Sequence, residues 1–209
     1  MVPHGRGRGW PVVPALVFST LLVFGLGGAL LMRHAQHRSV WSVIIGGTPL
    51  WWQVLVGAGG GLVIAFAAWW LVRRPCMAPV LARYAGLIGP LMPWRRDRVL
   101  LSLCAGVGEE LFFRGALQYW MGIPLTALVF VALHGYLDPR DRRITTYGAF
   151  MTLAMMGLGW MADRFGLLAP MVAHAVIDVV LLEGLYAAWR KGAGAEPPEE
   201  GRSGEQGCC

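Results

Sequence analysis

Long apolar runs broken by short polar stretches dominate the hydropathy pattern of this chain. A membrane-spanning helix needs about 20 predominantly apolar residues. The pattern predicts six such helices, over 11–32, 50–72, 98–119, 122–137, 144–162 and 167–189. Residues 75–94 contain Pro75, Pro79, Pro90 and Pro93 with Arg83 between them, so this stretch reads as an interfacial segment rather than a seventh span. The expected fold class is therefore all-α, a polytopic transmembrane helical bundle of about six spans plus one interfacial segment. Residues 1–190 form the transmembrane unit, with its polar core in 97–190. Residues 191–209, rich in Gly, Glu and Pro without apolar periodicity, read as a disordered cytoplasmic tail. The first apolar stretch follows Arg6 and Arg8 as a signal peptide would, but exceeds the usual signal core, and is read as uncleaved.

Composition supports this picture. The 209 residues are 56% hydrophobic and 14% charged, more apolar than a soluble domain of this size. Several of the ten tryptophans, Trp10, Trp51, Trp52, Trp94, Trp120 and Trp189, stand at the ends of apolar runs, where an amphipathic ring suits the headgroup level. The net charge of +6 sits between apolar segments rather than on one soluble face, which argues against nucleic acid as a partner and for membrane topology. With six spans and both termini cytoplasmic, the outer side receives only Arg33, Arg38 and Arg164, while nearly all other basic residues lie inside. A seventh span would send Arg95, Arg96 and Arg98 outside. A bacterial inner membrane is the expected location. The four cysteines make no zinc spacing, and Cys104 reads as a small apolar residue in a helix.

Ionisable side chains inside spans are costly, roughly 2.5–3.5 kcal/mol each at the helix centre, and mark function by default. They cluster late in this chain: Glu109, Glu110 and Arg114 in the third span, His134 in the fourth, His174 and Asp178 in the sixth. At about 1.5 Å of rise per residue, Glu109, His134 and Asp178 all fall roughly 17–18 Å from a membrane edge, close to the midplane, so one shared cavity is expected. Successive helical residues are rotated by about 100°, so the two glutamates cannot face one partner alike. Glu110 and Arg114, four apart, read as a structural pair, which leaves Glu109 to face a water-filled cavity. His174 and Asp178 are also four apart, and the carboxyl group is expected to orient the imidazole or help hold a water. Phe112, Phe113 and Phe130 either pack the core or shape a cleft. Gly106, Gly108 and Gly115 permit close helix approach. Glu183 lies near the cytoplasmic end of the last span, outside the site, and His34 and His37 belong to a solvated loop.

The run Glu109-Glu110-Leu111-Phe112-Phe113-Arg114, then Phe130 with His134 four later, then His174 with Asp178 four later, resembles the CAAX protease and bacteriocin-processing (CPBP, or Abi) family, which includes the Rce1-like prenyl-protein endopeptidases. Three motifs occur in the expected order on separate apolar helices, and the resemblance covers roughly residues 97–190. It implies an intramembrane endopeptidase in which Glu109 and His134 activate a water, while His174 and the residue at position 178 contact that water or the developing oxyanion. Many relatives carry Asn at the last position. An ionised Asp178 cannot donate to an oxyanion, so it acts protonated or through His174. Members are often labelled metalloproteases, and Glu109, His134, His174 and Asp178 could supply zinc ligands. No H-E-x-x-H pair is present, and a mechanism without metal is favoured. The expected partners are the lipid bilayer and a membrane-bound protein or peptide substrate, with C-terminal sorting tails of exported proteins ranked ahead of bacteriocin leaders and prenylated C-termini. Two other readings compete: a catalytically silent immunity or scaffold protein, and a proton-coupled transporter, against which the lack of an internal hydropathy repeat counts.

Overall fold

The computed structural model describes residues 12–193, which are helical with short connections and contain no strand. The tail reading for 191–209 and the basic N-terminal residues fall largely outside the described residues. Helix α1 covers Val12–Ala35. It is followed by the short α2 (Val40–Ile45), α3 (Leu50–Val72) and the interfacial α4 (Ala78–Ile88). A 39-residue helical run, Arg95–Leu133, comes next. It is bent at Gly122, whose φ of 69° and ψ of 172° lie outside helical space and favour glycine, and Pro124 follows. We call its two arms α5 (95–121) and α6 (123–133). Helices α7 (Arg142–Phe165) and α8 (Leu168–Ala188) complete the bundle.

Helices therefore occupy all six expected segments. By length and composition four helices qualify as candidate spans: Val12–Ala35, Leu50–Val72, Arg95–Leu133 and Leu168–Gly192. The third of these contains most of two of the expected spans, and α7 does not rank with them because Thr, Tyr, Gly and Trp dilute its apolar stretch. The fourth expected span ends earlier than residue 137. Its helix stops at Leu133, and Gly135 at φ 75° turns the chain away. Residues 134–141 then run as an irregular loop, which is tolerable at membrane depth only where it lines a cavity. The loop is tied down by Thr145, whose Oγ1 donates to the Asp138 carbonyl at 2.6 Å, and by Asp141, which caps α7 by accepting from the Arg143 amide at 2.9 Å.

Helix α8 sits at the centre, against α3, α4, α5 and α7. Its neighbours reach it through residues without bulk. On α3, the buried positions Gly57, Gly61, Ala65 and Ala68 form a seam against α8, and a Cβ on Gly61 would meet the Ala173 carbonyl oxygen at 2.6 Å. On α5, a Cβ on Gly106 would meet the Met171 carbonyl at 2.7 Å. In a bilayer, where lipid is as apolar as Leu, such close backbone approach supplies the packing contacts that hold helices together. This contact also brings the α5 turn bearing Glu109 and Glu110 beside the α8 turn bearing His174.

Candidate active site

The three helices converge their polar residues on one spot. Helix α5 presents Glu109 and Glu110, the end of α6 presents His134, and α8 presents His174 and Asp178. Just past the glutamate pair α5 widens into a π-helical turn over Leu111–Leu117, a distortion that recurs at functional sites.

Glu110 is fully buried and its Oε1 accepts two charge-assisted hydrogen bonds, from Arg114 Nη1 at 2.8 Å and from His174 Nδ1 at 2.7 Å. Arg114, buried as well, places Nη2 3.1 Å from Met155 Sδ. The pairing of Glu110 with Arg114 matches the expectation from their spacing. Glu110 also holds the Nδ1 side of the His174 ring, a contact that no spacing along one helix pointed to. The Asp178 carboxylate lies 3.6 Å from Nε2, on the opposite edge of the imidazole and beyond hydrogen-bond range.

Glu109 stands on the other side of His174. Its Oε2 is 4.0 Å from His174 Nε2 and 3.6 Å from His134 Nε2. That oxygen is buried and has no hydrogen-bond partner. Both imidazoles are oriented the same way relative to it. His134 Nδ1 lies 2.8 Å from the Phe130 carbonyl, which can only accept, so Nδ1 carries a proton and Nε2 faces Glu109. Nδ1 of His174 likewise donates to Glu110. Two Nε2 atoms thus face one unpartnered carboxylate oxygen across 3.6 and 4.0 Å.

Phe130 holds this geometry together. Its ring stacks on His134 with centroids 4.2 Å apart, meets His174 edge-on at 5.6 Å, and lies 4.7 Å from the Arg114 guanidinium carbon. Phe113 closes the far side at 4.9 Å. Both phenylalanines are buried, so they pack the site from behind.

The wall in front of the site was not legible in the sequence. Asp178 ends a cleft of about 510 Å³, open to its surroundings and lined by Val80, Tyr84 and Ile88 of α4, by Leu181, Leu182 and Leu185 of α8, and by Tyr136 and Tyr147. Tyr136 lies two residues beyond His134, with its ring roughly parallel to the imidazole at 6.1 Å. Tyr84 reaches over from α4, its hydroxyl donating to the Gly135 carbonyl at 3.4 Å. The spacing of Val80, Tyr84 and Ile88, four residues apart along one helical face, was the available signal. Glu183 lies outside the cluster as expected. It pairs with buried Arg98 at 3.0 Å and with Arg95 at 3.5 Å, pinning the start of α5 to α8.

Two imidazoles and two carboxylates are a donor set that zinc accepts. Among the described residues, however, no group of three His, Cys, Asp or Glu side chains is arranged to hold a metal ion.

Comparison with known proteins bears out the resemblance read from the motifs. Residues 94–180 match the family described as type II CAAX prenyl endopeptidase, Rce1-like. This segment contains every member of the cluster, from Glu109 to Asp178. The chain is also 34% identical over 85 residues to the uncharacterized protein YpbD of Bacillus subtilis, an alignment covering 39% of this chain and 42% of that protein. The chain thus spans less than half the length of the curated relative it matches. No solved structure matches it. The segment similar to this family makes up less than half of the chain, and four helices of the chain are long and apolar enough to cross a membrane.

Proposed function

We propose that this chain is a glutamate-type intramembrane endopeptidase that hydrolyses a peptide bond in or beside the bilayer. The observation that carries the reading is the buried, unpartnered Oε2 of Glu109, which faces the Nε2 atoms of His134 and His174. A carboxylate oxygen left without a partner in a low-dielectric site is costly unless its partner is a water or substrate.

In this mechanism Glu109, with His134 beside it, takes a proton from the water as it attacks the scissile carbonyl, and returns that proton to the leaving amine. His174 faces the developing oxyanion through Nε2. Since Nδ1–H is committed to Glu110, Nε2 donates when the ring carries both protons, and Glu110 stabilises that charged form. Asp178, which lines the cleft, acts through His174 or, when protonated, donates to the oxyanion itself. No metal enters the cycle. Activity is expected to survive chelators such as 1,10-phenanthroline, and loss that added zinc restores would replace this mechanism with a metal-assisted one.

Six crossings with both termini on the cytoplasmic side of a bacterial plasma membrane suit the distribution of Arg and Lys. The cleft would then open toward the cytoplasmic leaflet, between α4 and α8. Its substrate is a membrane-borne protein or peptide, with the C-terminal sorting tails of exported proteins as the first class to test. The test is mass spectrometry of membrane proteins from cells expressing the wild-type chain or Glu109→Gln at equal levels. Fragments present only with the wild type support proteolysis and identify the substrate. Identical profiles would remove the reading.

A further inference from the structure

A second cavity lies at the end of the bundle away from Arg73, Arg74, Arg95 and Arg96. It is an open depression of about 1040 Å³, bulk solvent space included. Arg38, Arg164, Gln118 and Asp163 line it, together with Arg114, the same residue whose guanidinium holds Glu110. The catalytic reading makes no use of this space.

Its charge is unbalanced. Three arginines line it against one acid, Asp163, whose Oδ1 already accepts from Gln118 Nε2 at 2.9 Å. Arg114 is committed to Glu110. Among the described residues Arg38 and Arg164 have no carboxylate partner. Arg38 donates only a long 3.4 Å bond to Gln36 Oε1, and its guanidinium carbon lies 5.5 Å from the centre of the Tyr119 ring. Both side chains are exposed at this face. Cations here run against the charge asymmetry that the rest of the chain obeys, and two of the three arginines assigned to this side line one cavity.

The depth is informative too. Trp41, Tyr119, Trp120 and Trp160 are all more than half exposed at the same end of the bundle, where amphipathic rings mark the headgroup level. A ligand in the cavity would sit at the depth of lipid phosphates. Arginine is the side chain whose planar fork suits a phosphate oxygen pair.

We infer that this cavity is a binding site for an oxyanion, the phosphate of an anionic lipid headgroup in the leaflet opposite the cleft, held by Arg38 and Arg164. A bound headgroup would place a second anion beside Arg114, one residue removed from the Glu110–His174 pair. The assignment does not depend on proteolysis, and its test reads binding alone.

The purified full chain in a non-ionic maltoside detergent is titrated with short-chain phosphatidylglycerol and, separately, with inorganic phosphate, and bound ligand is counted by native mass spectrometry. Saturable binding of the lipid is expected, with affinity reduced roughly ten-fold or more in Arg38→Gln/Arg164→Gln and by less in Arg38→Lys/Arg164→Lys, which keeps the charges but not the forks. The single variants Arg38→Gln and Arg164→Gln, which alter only exposed side chains, should each show a smaller loss and so decide the matter if the double variant does not fold. Phosphate binding as tightly as the lipid would overturn the lipid assignment and leave a free-anion site. Lipid binding unchanged in the Gln variants, or absent from the wild type, would overturn the site itself.

Discussion

The Oε1 atom of Glu110 accepts from both Arg114 and His174, at 2.8 and 2.7 Å, so a single carboxylate oxygen links the buried cation of α5 to the imidazole of α8. The two glutamates of the Glu109-Glu110 pair thus address opposite nitrogens of one ring. Glu110 fixes its Nδ1 edge, and Glu109 faces its Nε2 edge. Removing one partner from a buried charge pair costs about 3–5 kcal/mol, because the other charge is left unpaired. Glu110→Gln is therefore expected to lower the thermal unfolding temperature in detergent strongly and to slow cleavage, since the amide cannot serve Arg114 and His174 as the carboxylate does.

Glu109→Gln should show the reverse balance. Its Oε2 has no hydrogen bond to lose, so the unfolding temperature should stay near that of the wild type. Cleavage should fall by about 10²–10⁴-fold, the usual contribution of a general base. Measuring both quantities on both variants separates a reacting carboxylate from a structural one. Equal destabilisation by the two substitutions would contradict the division of labour.

Phe130 lies against His134, His174 and Arg114 at once. Truncation to Ala opens a cavity behind the site and is expected to cost about 3–5 kcal/mol. Phe130→Leu keeps most of the volume but loses the flat face under His134. It should remain folded by circular dichroism while its kcat falls more than its KM changes.

Gly148 on α7 faces the Tyr136 carbonyl so closely that any Cβ would overlap it. Gly148→Ala must displace the 134–141 loop, and with it Tyr136 and the C-terminal end of α6 at His134. The expected result is destabilisation of about 1–3 kcal/mol, with cleavage reduced beyond what the loss of folded protein explains. Activity per folded molecule, titrated by an active-site probe, checks this.

Tyr84 touches the cleft from α4 and contacts Tyr136 at a ring distance of 5.4 Å, without reaching the Glu109 cluster. Tyr84→Leu should therefore change which sequences are cut, and KM for a given peptide, while leaving the melting temperature nearly unaltered. Profiling cleavage of a peptide library by the two proteins distinguishes this from a role in the chemistry, which would lower all rates alike.

The polar cluster was readable because each of its members violates the apolar pattern of its own helix. The Glu110–Arg114 pair was readable for a second reason, that four residues along a helix is one turn. The early end of α6 was less so. His134 continues an apolar run in sequence, and only the positive φ of Gly135 shows that the chain leaves the helix there. The cleft wall drew on Tyr84, Tyr136 and Tyr147, ordinary residues for an interfacial or apolar segment, whose shared lining of one space no spacing rule connects.

The sequence by itself determined that the chain is helical, with runs long and apolar enough to cross a membrane, and that Glu109, Glu110, His134, His174 and Asp178 interrupt those runs. These follow from hydropathy and the fixed rise and rotation of a helix, which are local quantities. Tertiary structure decided that His174 is held by Glu110, 64 residues away, rather than by Asp178 on its own helix. It also decided that Glu109 Oε2 is left to face both Nε2 atoms. The reason is physical: the azimuth and separation of neighbouring helices are set by where backbones can touch, as at Gly106 against the Met171 carbonyl, and a one-dimensional period carries no record of that contact.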